Sequence, residues 1–165
     1  MIIVKKSGYL HYKNIRFKCA IGKTGIKKNK LEGDKSTPFG TFNILKVYYR
    51  DDKIKKIKTR LKKIKIKKNM GWCDDPASRF YNKQIKLPNK SNHEKLFRND
   101  NLYNVILVLD YNINPTIKNK GSAIFLHVAK NNFSPTKGCV ALKQNDLLFL
   151  LSLINKNTKI KIGNN

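Results

Sequence analysis

A mainly β fold with one C-terminal helix and a few short helices is the class this sequence predicts, and three observations lead there. Most patterned segments are period-2 or wholly apolar runs of strand length. Only one late segment carries convincing helical spacing. Turn chemistry separates the runs throughout. At 165 residues with 40% hydrophobic content, the chain is the size of one ordinary domain with a core of its own.

In chain order, Ile2 to Val4 and Ile15 to Ile21 read as strands, followed by Gly22, Gly25 and Gly33-Asp34 as turn punctuation. In Thr37-Pro38-Phe39-Gly40, proline presets φ and glycine closes, which predicts a tight turn. Thr41 to Tyr49 is the next strand. The stretch from Lys53 to Lys68 places Ile54, Ile57, Leu61 and Ile64 at helical spacing among lysines. It is expected to be a solvated basic insertion within the same domain, in preference to an amphipathic helix. Gly71-Trp72-Cys73 follows, and then Val105 to Leu109 and Ala123 to Val128 as apolar strands. The helix is expected from about Asn145 as N-cap, with Asp146 at the positive end of the dipole and Leu147, Leu151 and Ile154 at i, i+4, i+7. Lys159 to Ile162 is the last predicted strand.

The chain carries a formal charge of +26, from 36 basic and 10 acidic residues. Such an excess usually signals a polyanionic partner. Here Lys, Asn and Ile make up 69 of the 165 residues and only five of the bases are Arg. That is the bias of an A/T-rich coding sequence, whereas recognition of phosphates or bases favours the bidentate guanidinium. Nucleic acid is not expected as a partner. Cys19, Cys73 and Cys139 are odd in number and form no CxxC pair, so neither a disulfide framework nor a metal site is expected. The first residues lack the apolar core of an export signal, and no apolar run approaches the ~20 residues that span a bilayer.

Two features near the C-terminus fit one chemistry. His127 ends the apolar strand Ala123-Ile124-Phe125-Leu126, and Cys139 lies in Ser134-Pro135-Thr136-Lys137-Gly138-Cys139-Val140. A thiol attacks as its thiolate and needs a base or imidazolium beside it at neutral pH. Gly138 allows close backbone approach, and the N–H groups of Gly138 and Cys139 are candidates for an oxyanion hole.

The segment from His127 to Val140 resembles the signature of the L,D-transpeptidase (YkuD) family, a strand His followed after a loop by [Ser/Thr]-x-Gly-Cys. Glu32-Gly33-Asp34 with Thr37-Pro38-Phe39-Gly40-Thr41-Phe42 is similar to the family's Gly-Asp and Thr-Pro-x-Gly-x-Phe entry. Gly71-Trp72-Cys73-Asp74-Asp75-Pro76, Tyr81-Asn82, Ser91-Asn92-His93-Glu94 and Gly121 to His127 resemble its compact bacterial branch. The resemblance implies a β-sandwich or mixed sheet, no cofactor and no metal, and peptidoglycan stem peptides as partners. It implies a Cys139 nucleophile and a His127 base that together release the terminal D-alanine of a stem tetrapeptide. The acyl group then passes to an amine, giving a 3-3 cross-link, or to water, as in an L,D-carboxypeptidase. It implies a place in the cell envelope or periplasm, with the cytoplasm as the alternative given the lack of a visible export signal, and monomer as a plausible state. The pattern is broken at Lys137 and Ala141, and the His-to-Cys loop is short, so substrate choice is expected to differ there.

The remaining site candidates are weaker. The Val128 carbonyl is expected to fix the His127 tautomer. Thr136, Lys137, His93, Glu94, Asp74, Asp75 and Trp72 are expected to contact substrate, the acids through the ammonium groups of the stem. A bracing polar network is the competing reading for the acids, and core packing the competing reading for Trp72. From another functional class, the rival is a non-catalytic basic module that binds nucleic acid or an anionic envelope polymer.

Overall fold

The computed structural model describes residues 1–164. Fourteen strands and one helix follow one another as β1 (Ile2–Lys5), β2 (Tyr9–Tyr12), β3 (Ile15–Ala20), β4 (Ile26–Lys27), β5 (Thr37–Pro38), β6 (Gly40–Tyr49) and β7 (Lys63–Lys65). Then come β8 (Met70–Cys73), β9 (Gln84–Lys86), β10 (His93–Lys95), β11 (Val105–Leu109), β12 (Phe125–Val128), β13 (Val140–Leu142), α1 (Gln144–Leu153) and β14 (Lys159–Asn164).

Nine strands form one mixed sheet in the order β11-β12-β13-β3-β2-β1-β14-β6-β7, and β6 also pairs with β11. The order therefore returns on itself. Strands β3 and β6 are each shared: their first parts pair with β2 and β14, and their later parts with β13 and β11. Inside lies the main core, with Ile2, Val4 and Leu10 from one half, Leu107, Leu126 and Leu142 from the other, and Leu147, Leu150 and Leu151 of α1.

A second core explains why β11 and β12 are buried at every position. Period-2 alternation sends Val105, Leu107 and Leu109 into the main core and Ile106 and Val108 to the opposite face. On β12, Leu126 and Val128 point inward while Phe125 points outward. That outer face is covered by a small sheet ordered β10-β8-β9, with Trp72 and Leu96 packed against Phe125 and Ile106. An apolar run without alternation is the expected mark of a strand covered on both sides.

Several expectations need correction. Apart from α1, no helix appears among the described residues, so the few short helices are absent. The α1 N-cap is Lys143, which makes no side-chain cap bond, and Asn145 lies inside the first turn. Thr37-Pro38-Phe39-Gly40 is extended, with no tight turn. Thr37 and Pro38 pair with Ile26 and Lys27, and the Phe39 N–H donates to the Lys27 carbonyl at 2.8 Å. The Lys53 to Lys68 stretch has no helix, yet it is not fully solvated either. Ile54, Ile57 and Leu61 enter the main core, and Lys63–Lys65 adds a parallel edge strand to β6.

Candidate active site

Strands β12 and β13 are parallel, with Leu126 opposite Val140 and His127 opposite Ala141. One residue earlier, Cys139 stands beside Phe125, whose N–H donates to Sγ at 3.4 Å. The thiol donates to the Ala123 carbonyl at 3.1 Å. Side chains at 125 and 127 share a face with those at 139 and 141. The crossover between the strands thus brings His127 and Cys139 together diagonally on the outer face. Both line a cavity of about 290 Å³ with Tyr103, Glu94, Arg98 and Lys137. No direct hydrogen bond joins the thiol to the imidazole in this conformation.

The His127 Nδ1 lies 2.8 Å from the Val128 carbonyl. A carbonyl only accepts, so Nδ1 carries the proton and Nε2 is left with a free lone pair. The Tyr103 ring meets the imidazole edge to face at 5.5 Å. Burial pushes the His127 pKa down to about 4 and the Cys139 pKa up to about 12. The Glu94 carboxylate raises the thiol further, while the Phe125 N–H and the Lys30 ammonium oppose the rise. The resting pair is therefore a neutral thiol and a neutral imidazole, the protonation states that suit general-base transfer during attack.

Sequence candidates separate once placed. Thr136 Oγ1 donates to the Cys139 carbonyl at 2.6 Å and accepts the Gly138 N–H at 3.1 Å. This removes Gly138 N–H from the oxyanion hole proposed for it, since that donor is already spent within the loop. Gly138 is needed for space: its φ is +143°, and an added Cβ would stand 2.8 Å from the Ser36 carbonyl. Thr136 is the loop's internal clasp, stitched to the Gly22 segment by its N–H to Ile21 O at 2.9 Å and its carbonyl to Lys23 N–H at 3.0 Å. Lys137 is exposed at the cavity rim.

Behind the loop, Asp34 accepts from Lys30 Nζ at 2.8 Å, from Ser36 N–H at 2.8 Å and from Leu31 N–H at 3.0 Å. These bonds hold its carboxyl well below the usual range against the opposing effect of burial. The Gly-Asp motif is a brace and contributes no group to the cavity.

Trp72, expected at the substrate, is 3% exposed. Its Nε1–H donates to Asn82 Oδ1 at 3.0 Å, and its ring meets Phe125 edge to face at 5.1 Å. It is a support beneath the site. Asn82 was not a candidate, yet its Oδ1 also takes the Ala123 N–H at 3.0 Å. It thereby pins Ala123 at φ +51°, with that residue's carbonyl on the thiol. His93 and Glu94 alternate on β10, and only Glu94 reaches the cavity, where it accepts a hydrogen bond from Tyr103 Oη. His93 Nδ1 lies 2.7 Å from the Ser91 carbonyl. Asp75 accepts the Ala77 N–H at 3.0 Å and closes a turn. Asp74 does not line the cavity, and one of its buried oxygens has no partner among the described residues. Burial raises its pKa, helped by Glu32 and opposed by His93 and Lys137.

Tyr103, Arg98 and Asp100 were not legible as site residues. Arg98 stacks over Tyr103 at 5.1 Å and pairs with Asp100 at 2.6 Å. They line the cavity because β11 runs antiparallel to β12, with Ile106 opposite His127, a pairing that no local motif announces. No group of three His, Cys, Asp or Glu side chains comes together as metal ligands among the described residues.

The chain belongs to the YkuD family, the L,D-transpeptidase catalytic domain, whose family model matches residues 1–162. Among solved structures it is similar to the helical cell shape determining protein Pgp2 from Campylobacter jejuni. The identity is 16% and the TM-score 0.51, covering 98% of this chain and 46% of that one. It also matches L,D-transpeptidase 1 from Mycobacterium tuberculosis at 9% identity and TM-score 0.46, over 99% of this chain and 61% of the other. The chain thus spans less than two thirds of either protein. No curated protein matches it.

Proposed function

We propose that this domain is a cysteine-dependent acyl transferase acting on peptidoglycan stem tetrapeptides in the cell envelope. The observation that carries the reading is the β12–β13 register, which lines one cavity with Cys139 and His127. His127 Nε2 takes the thiol proton as Sγ attacks the carbonyl of the third stem residue, and a tetrahedral oxyanion forms. The Cys139 N–H is the donor suited to that oxyanion, because the neighbouring Gly138 N–H is engaged. Collapse breaks the peptide bond, the departing D-alanine amine takes the proton from His127, and a thioester remains on Cys139. An acceptor amine then attacks the thioester to give the cross-link and free the thiol. If water attacks, the product is a trimmed tripeptide. Glu94 suits an ammonium of the stem and Lys137 a carboxylate.

The test is incubation with purified tetrapeptide muropeptides, with products followed by mass spectrometry. D-Alanine release is expected from the wild type and not from Cys139→Ala, and it should fall about 10²- to 10⁴-fold in His127→Ala. No release, or release undiminished in Cys139→Ala, rejects the proposal. Dimers accumulating alongside D-alanine identify the transferase, and tripeptide alone the carboxypeptidase.

A further inference from the structure

The Lys53 to Lys68 excursion contributes nothing to the cavity, and its side chains divide cleanly. Ile54, Ile57, Leu61 and Ile66 are buried, at 5%, 8%, 7% and 2% exposure. All ten basic residues, nine Lys and Arg60, are exposed. The stretch contains no acid. Lys65 pairs with Asp51 at 3.0 Å, and Lys53 reaches the carbonyl of Asn99 at 3.2 Å and Asn101 Oδ1 at 2.9 Å. Among the described residues, the other eight bases form no ion pair. A drift toward lysine codons would spread charge along the chain and would not require an apolar anchor under it. Here four buried side chains hold a dense cationic face in place at the edge of the main sheet, despite its mutual repulsion.

We propose that this face docks the domain onto the anionic headgroups of a lipid bilayer. Lysine provides point charges for phosphates without the fork used to read bases. The stretch has no aromatic side chain on which a base would stack. It lines neither described cavity, so it presents a broad face where a single polyanion chain would call for a groove. Clustered lysines near an anionic bilayer are the physical basis of peripheral membrane binding. No exposed large apolar side chain lies in the stretch, so the association is electrostatic, without insertion. Through Lys53 on the 99–101 segment, docking also brings the membrane beside the Arg98–Asp100 wall of the cavity.

The proposal is independent of the catalytic reading and is tested by co-sedimentation of the whole chain with vesicles. One set is phosphatidylcholine and phosphatidylglycerol at about 70:30, the other phosphatidylcholine alone, at about 0.1 M salt. The wild type is expected on the anionic vesicles only, and to be released by high salt. The fourfold variant Lys55→Gln, Lys56→Gln, Lys58→Gln, Lys62→Gln should bind about a thousandfold more weakly. A charge-matched control, Lys6→Gln, Lys86→Gln, Lys118→Gln, Lys156→Gln, should lose less than about a tenth of that effect. The fourfold Lys→Arg variant at 55, 56, 58 and 62 should bind like the wild type. Thermal unfolding of each variant verifies its fold. Equal losses in the two Gln variants would overturn the proposal, because net charge alone would then explain binding. So would absence of binding to anionic vesicles, or binding to a DNA duplex alone that the 55–62 variant abolishes.

Discussion

Cys139 and His127 rest as a neutral pair because each is buried without a charged partner close enough to offset lost hydration. Cys139 alkylation by iodoacetamide, followed by peptide mass spectrometry, should therefore rise about tenfold per pH unit from 7 towards 11 with no plateau. With folded pKa about 4 against 6.5 for the free side chain, His127 also makes stability depend on pH. The folded state prefers neutral imidazole, so this contribution is complete above pH 6.5. It is lost as pH falls to about 4, where the unfolded chain binds the extra proton. Urea unfolding should show at most about 3 kcal/mol lost across that window, and His127→Phe should flatten the curve there. Asp34, whose carboxyl is held low in the folded state, adds its loss only below pH 3.8. The acid limb of turnover should likewise fall near pH 4, well below the midpoint of an exposed histidine.

At the level of elements, the site depends on two parallel strands and the loop that returns between them. His127, Cys139 and the loop glycine were legible because thiol chemistry makes such a pair plausible and the strand His, loop and Gly-Cys order resembles the family signature. Trp72 was misplaced because an aromatic beside a glycine reads the same above a cavity as beneath it. Tyr103 was missed because only the β11–β12 pairing brings it to the imidazole. Gly138→Ala tests the loop directly. With φ +143° and the Ser36 carbonyl 2.8 Å from the new Cβ, it should lower stability by about 2 kcal/mol. Turnover should drop at least about tenfold, since the thiol and its N–H shift with the loop. Thermal unfolding and muropeptide turnover give the two readings.

Across the whole molecule, a sheet that returns on itself encloses one core while its outer face carries another, and the cavity opens on that second face. The basic excursion is tied to the first core through Leu61, which is 7% exposed. Leu61→Ala should therefore cost about 2 to 4 kcal/mol in urea unfolding, whereas Lys58→Ala should stay within about 0.5 kcal/mol. The sequence by itself determined the β-rich class, most long strands and the C-terminal helix, and it offered Cys139 and His127 as candidate nucleophile and base. The elements follow from local periodicity, and the two candidates from thiol chemistry joined to the family resemblance. Only the tertiary structure decided that the Cys139 thiol and the His127 imidazole rest uncharged, that the Gly138 N–H is engaged, and that Glu94 and not His93 enters the cavity. It also decided that the lysines stand out on an anchored face. Each of these depends on what lies across a strand pair or a packed layer, where desolvation and hydrogen-bond partners come from residues far apart in the chain.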